Sequence, residues 1–377
     1  MNALTFVMAI FAVIGAIDAL IGNRLGLGKE FERGLKMFGT LALSMIGMLI
    51  LAPVLANWLE PVLVRVAEAL PFDPSIVPAS LFAIDMGGAP LAQELAGDPT
   101  IGLFNGLVVA SMMGCTVSFT VPFALGAVKK EQHREVLLGL LCGILTIPVG
   151  CFAAGLAAEI SPLALLIDLC PLLLFSAIIA IGLWKAPKLS VRIFSVVGFL
   201  IKILIMLGLA IGIFTFLTGI VILPGAESFE SAALVVVNAT VVLTGAFPLI
   251  KLVSFLLKKP LRLLGKGMGV NEASAKGFLS SLAASMTTFD EMEKMDPRGA
   301  VLNSAFAVSA AFVLTDHLAY TIAFHSDYLG YVMLGKVISG VFAVLVAMAV
   351  SRKLLEKSFA SEPKHEKTQE NGKEDKQ

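Results

Sequence analysis

Charge is scarce in this chain. Asp, Glu, Lys and Arg make up 15% of 377 residues and cancel to a net charge of zero. A soluble domain carries about a quarter charged residues. The balance also denies the chain the basic surface that nucleic acid requires. Cysteine is scarce too: Cys115, Cys142, Cys151 and Cys170 are the four, each within an apolar run and none in a Cys-x-x-Cys pair. That excludes a disulfide framework and a zinc site, and reads as small buried hydrophobes. There is no His-Glu-x-x-His, no P-loop, no Gly-x-Ser-x-Gly and no Gly-x-Gly-x-x-Gly after a strand. Neither an enzyme nor an ATP-driven pump is therefore read, and no cofactor or metal is expected. Residues 3–22 have no basic stretch before them and are too long for a leader, so they read as an uncleaved span.

What is present is hydrophobicity. Apolar residues make up 57% of the chain, and the mean hydropathy is +0.90. Runs of roughly 18 or more apolar residues, each long enough for about 30 Å of hydrocarbon, recur from end to end. Full spans are expected at 3–22, 34–57, 101–127, 136–158, 162–184, 193–222, 231–257, 298–324 and 329–351. Two weaker segments lie at 76–96 and 272–290. The first holds Asp85, Gly87, Gly88, Pro90 and Glu94; the second has only a short apolar stretch between charged flanks. The fold class is an all-α polytopic membrane protein whose surroundings are a lipid bilayer.

Basic residues decide sidedness. Arg24, Lys29, Arg33 and Lys36 follow the first span, and KKEQHRE, KAPKLSVR and the run from Lys258 to Lys266 lie in alternate connections. The intervening connections are acidic or neutral. All basic loops fall on the cytoplasmic side only if 76–96 and 272–290 each enter and leave on one side, as re-entrant hairpins. The N-terminus is then outside and the polar tail, 352–377, is cytoplasmic and disordered by composition.

A shift of 198 residues aligns Asp98-Pro99, Asn105, Ser111 and Gly47 with Asp296-Pro297, Asn303, Ser309 and Gly245. The order of spans and hairpins matches as well. This predicts two repeats, 1–158 and 193–351, joined by a linking helix within 159–192. One extra crossing inverts the second relative to the first. Inverted repeats with broken helices are a usual build of secondary transporters. Broken backbone avoids lipid, so two hairpin tips imply a sheltered, partly wet cavity.

Carboxylates inside spans face cavities or partners. Asp85 sits at the first tip, where Gly87 and Gly88 permit unusual backbone angles and Pro90 suits the start of a half-helix. It is either a cation ligand or a helix cap. Asp316 and His317 lie in the span 298–324, as a binding pair or as a hydrogen-bonded pair locking helices. Asn105, Ser111, Asn303 and Ser309 stand on the matching spans. Their six-residue spacing leaves each Asn about 120° from its Ser, one for the cavity and one for helix packing. Glu94, at the outer mouth, and Thr287 and Thr288, near the second tip, are candidates for gating. Asp18, Lys202 and Lys251 sit near the cytoplasmic ends of their spans, where long side chains snorkel. The small residues of GKVISG (335–340) suit close helix packing.

The stretches DMGGAPLAQELAG (85–97), SMMG (111–114), TIPVGC (146–151) and RGAVLNSAFAVSAAFVLTDHL (298–318) resemble the EutH family, the ethanolamine permeases of bacterial ethanolamine utilisation. The likeness spans nearly the whole chain, and 298–318 is its most specific part. It implies an inner-membrane protein that takes up ethanolamine, by facilitated diffusion or by coupling to H+ or Na+. A homo-oligomer is compatible with such a build. A channel-like facilitator, a membrane enzyme using Asp316 and His317, and a sensor acting through its tail are the alternatives. Ethanolamine is mostly a protonated amine, which hydrocarbon excludes. Asp85 or Asp316 suits its ammonium, and Asn105, Asn303, Ser111 or Ser309 suits its hydroxyl.

Overall fold

A computed structural model describes residues 3–69 and 71–361, and every regular element among them is helical. α1 is Ala3–Leu20 and α2 is Leu27–Ala69. Two short helices follow, α3 (Ile76–Leu81) and α4 (Gly88–Leu95). The next rod runs from α5 (Pro99–Phe104) through π-helical turns at Asn105–Gly114 and Thr116–Thr120 into α6 (Val121–Ala127). α7 is His133–Ala157. α8 (Pro162–Asp168) and α9 (Cys170–Lys185) form one span bent by 41°. α10 is Pro187–Thr218 and α11 is Phe229–Met268. A second pair of short helices is α12 (Glu272–Ala283) and α13 (Ser285–Asp290). α14 (Pro297–Ala310), α15 (Asp316–His325) and α16 (Leu329–Ser361) complete the chain.

Six of the described helical stretches are long and apolar enough to cross a bilayer, seven with the bent pair, and α1 is a shorter apolar helix. This is a multi-pass membrane protein. Two expectations need correction. The span expected at 298–324 is not one helix, because α14 stops at Ala310 and α15 starts only at Asp316. The tail boundary at 352 falls inside α16, which continues to Ser361; residues 362–377 lie outside the described residues.

Packing separates central from peripheral rods. The apolar stretch of 99–127 is 83% buried within the protein, that of α10 only 22%. Exposed Phe6, Val13, Leu174, Ile178, Phe199 and Leu217 on α1, α9 and α10 form the face that lipid must cover. Cys170 is on the exterior too, unlike the other three cysteines, which are buried.

α2 and α11 pack on one another, and α7 packs on α16 and α14. Glycines set the close crossings. A Cβ at Gly47 of α2 would collide with the Ile205 carbonyl of α10, and one at Gly245 of α11 with the Met8 carbonyl of α1. Asp18, expected to reach for water, is instead buried. It accepts hydrogen bonds from the amides of Leu25 and Gly28 at 2.8 and 2.9 Å, which folds the α1–α2 turn. At the surface, Lys129 Nζ donates to Glu293 Oε1 at 2.6 Å, and that bond holds the ammonium above its usual pKa. An exposed pair of this kind adds little to stability.

Candidate solute-binding site

The rod 99–127 and α14 begin in the same way. Asp98 and Asp296 each accept backbone amides of the first turn and are followed by proline, the arrangement that satisfies free amides at a helix start. Each rod then anchors a short helix. Asn105 Nδ2 donates to Ser75 Oγ at 2.9 Å, and Asn303 Nδ2 donates to the Ser274 and Gly299 carbonyls, both at 2.9 Å. Both asparagines are fully buried, and neither lines a cavity described here.

The first broken segment unwinds after Leu81. Phe82 and Ala83 are extended, Ile84–Met86 makes one tight turn, and Gly87 takes φ +106° before α4 starts. That angle belongs to glycine, and a Cβ there would also run into the Met48 side chain. The freed groups find partners. Ala83 N donates to Ser118 Oγ at 3.2 Å, and Ala83 O accepts from Met86 N at 3.0 Å and Gly88 N at 2.9 Å. No side chain caps α4, so the capping role considered for Asp85 is absent; its half-buried carboxylate lines a cavity instead.

The second broken segment turns at Ala284, with φ −159° and ψ 123°. It lies against the unwound stretch 311–315. Phe312 N donates to Ser281 O at 3.2 Å, Leu314 N to Leu282 O at 3.0 Å, and Thr315 Oγ1 to Ala283 O. Two interrupted helices thus satisfy each other's backbone, which lipid would not do. Phe312 takes φ +61°, an angle uncommon for a bulky residue. Strain of this kind gathers at ligand sites.

Asp85 from the first turn and Asp316 from the start of α15 face one cavity of about 130 Å3. Met86, Cys115, Phe119, Phe312 and His317 share its wall. This volume lies well below the roughly 300–1,000 Å3 of drug-sized sites. A larger chamber of about 560 Å3 shares Thr40, Met286 and Asp316 with it and extends past Thr287 and Thr315 to Arg33 and Lys251. The two spaces thus share part of their walls, and the larger one reaches Arg33 of α2 and Lys251 of α11. A mostly apolar space of about 750 Å3 shares Thr40, Ser44, Met86 and Phe119 and runs to Phe199 and Lys202 of α10.

The remaining sequence candidates lie elsewhere. Ser111 is buried, its hydroxyl donating to the Val108 carbonyl at 2.8 Å. Ser309 accepts from Ser339 Oγ at 2.6 Å. Thr288 shares a 2.8 Å hydrogen bond with Ser281 and donates to the Gly277 carbonyl at 3.1 Å. Thr287 is exposed and lines the larger chamber; Glu94 is exposed. Only Asp85, Asp316 and His317 of the sequence candidates meet in the small cavity.

One residue was missed. Lys336 of α16 is 1% exposed. Its Nζ donates to the Ser111 carbonyl at 2.7 Å and lies 3.1 Å from His317 Nδ1. The glycines of GKVISG do serve packing, since Gly335 and Gly150 bring α16 and α7 into backbone contact. The lone lysine among them was the available signal, a basic group within a run otherwise free of charge.

A multi-pass helical protein with interrupted helices around a small, acid-lined internal cavity has the construction of a solute carrier. Residues 1–350 match the family model "Ethanolamine utilisation protein, EutH". The chain belongs to that family. It is 43% identical to the "Probable ethanolamine permease EutH" of Listeria monocytogenes, covering 95% of this chain and 96% of that protein. It is 37% identical to the protein of the same name from Salmonella typhimurium, covering 91% and 93%, and 39% identical to the uncharacterised YxeR of Bacillus subtilis, covering 92% and 94%. No solved structure matches the chain.

Proposed function

We propose that this protein carries protonated ethanolamine across the bacterial cytoplasmic membrane by alternating access, with Asp85 and Asp316 as the ammonium ligands. The observation that carries this reading is that two carboxylates, each on an interrupted helix, face one cavity sized for a small solute. The names of the relatives, permeases for ethanolamine, agree with it. A protonated amine needs acceptor oxygens once it leaves water, and two carboxylates provide them. The hydroxyl is met by His317, which shares the wall.

The inverted repeat is part of the proposal. Gly47 and Gly245, paired by the internal shift, both mark backbone crossings in which the second span of one half meets the first span of the other. Asp98 and Asp296 each cap the start of their rod, and Asn105 and Asn303 each donate to a serine at the start of a neighbouring short helix. These pairings support two re-entrant segments, α3–α4 and α12–α13, whose turns flank the site. Arg24 in the α1–α2 turn, together with Lys29, Arg33 and Lys36 in the first turns of α2, assigns that end to the cytoplasm. The chamber running from Asp316 to Arg33 then corresponds to an inward-open state, with the N-terminus outside.

Purified protein in proteoliposomes should take up labelled ethanolamine with saturation. Choline, urea and neutral amino acids should compete poorly. Uptake that stays linear with concentration points to the channel-like alternative, and absence of uptake removes the reading.

A further inference from the structure

Lys336 stands one layer behind the cavity, and no transport role has so far been given to it. Its ammonium is buried, hydrogen-bonded to the Ser111 carbonyl at 2.7 Å and placed 3.1 Å from His317 Nδ1. Ser111 lies within the π-helical winding of 105–114. An ammonium donates and has no lone pair to accept with. Nδ1 of His317 is therefore the acceptor, and the imidazole proton sits on Nε2. His317 lines the cavity, and the Phe312 ring lies 5.2 Å from its own. Asp85 and the thiols of Cys115 and Cys151 are the titratable groups that face Lys336 from its neighbours. With both aspartates ionised and Lys336 charged, the site carries one net negative charge, enough for one monovalent cation.

We infer that Lys336 is the specificity-determining residue of the proposed transport site, selecting a monocation that bears a hydroxyl. It does so in two ways. It holds His317 as an Nε2–H donor to the solute hydroxyl, and it leaves unbalanced charge for one ammonium only. Lys336 touches no solute, so it acts as a positioning residue through His317. The inference rests on the ethanolamine reading, and it names what that reading leaves open, how a hydroxyl-amine is told from an alkylamine or a diamine.

The test is competitive binding to the purified full chain in detergent, with ethanolamine, propylamine and ethylenediamine as probes. Propylamine replaces the hydroxyl by a methyl group; ethylenediamine replaces it by a second amine. The wild type should bind ethanolamine at least about tenfold more tightly than either, since a site built for a hydroxyl rejects analogues lacking it. Lys336→Met keeps the apolar stem and removes the charge. It should bring the ethanolamine and propylamine affinities to within about threefold of each other, and ethylenediamine should overtake both. Unchanged ratios in Lys336→Met overturn the inference while leaving the transport reading intact. A wild type that binds none of the three amines removes both.

A second measurement needs no change at Lys336. Nitrogen NMR on 15N-histidine-labelled protein, with His133, His325 and His365 replaced by Gln, reports His317 alone. A proton on Nε2 agrees with the assignment, and a proton on Nδ1 overturns it.

Discussion

Replacing Asp316 by Asn should lower ethanolamine affinity about a hundredfold or more, and Asp85→Asn should do the same. Both carboxylates face the cavity, and each substitution keeps the size and shape of the side chain. Removing one partner of a desolvated ion pair costs about 3–5 kcal/mol. At about 1.4 kcal/mol per tenfold, that is a factor of a hundred or more. The charge count gives the same direction. Two aspartates and Lys336 leave one negative charge for the substrate, and either Asn brings the empty site to neutrality. A role in ion coupling alone would look different. A coupling carboxylate made neutral abolishes accumulation against a gradient but leaves exchange of labelled for unlabelled solute intact. A binding carboxylate made neutral abolishes both. Exchange and accumulation in proteoliposomes, measured side by side, should fall together in both variants.

The second large effect concerns the frame. Gly47→Leu and Gly245→Leu should each destabilise the protein by about 3 kcal/mol or more, seen as a lower melting midpoint and lower yield in detergent. A side chain at Gly47 meets the Ile205 carbonyl and, at 2.7 Å, the Leu209 amide nitrogen of α10; one at Gly245 meets the Met8 carbonyl and, at 3.0 Å, the Met8 Cα of α1. These neighbours are backbone and have no rotamer to change, so the helices must part. The similarity of the two losses is itself a prediction, since the two crossings are related by the proposed repeat. Gly39, also in α2, has nothing within 4 Å of the same position. Gly39→Ala should stay within about 1 kcal/mol of the parent, the scale of helix propensity. A large loss there, or a tolerated Leu at Gly47, would contradict the packing described.

Long elements were legible in the sequence because the bilayer thickness sets a length, and apolar runs of that length are conspicuous. The first interruption was legible for a local reason: Gly87 and Gly88 stand beside Asp85, and one of them takes a backbone angle that other residues resist. The interruption at 311–315 was not, because AFVLT contains neither glycine nor proline. It exists because its amides and Thr315 find the carbonyls of Ser281, Leu282 and Ala283, residues about thirty positions earlier. Periodicity does not record such a partner. Asn105 and Asn303 were legible as important but not in their task. Polarity within a span marks a satisfied group; the partner is either a solute or, as here, the end of a neighbouring short helix. Lys336 was hidden among the small residues of GKVISG, whose pattern reads as close helix packing. It lies two turns into α16, where the carbonyl of Ser111 and the ring of His317 take the place of water.

The most direct test is a structure of the purified protein determined with ethanolamine at saturating concentration. The ammonium should lie within hydrogen-bonding distance of both Asp85 and Asp316, with the hydroxyl toward His317 Nε2. Ethanolamine bound in the apolar space beside α10 instead, or the small cavity left without it, would contradict the account.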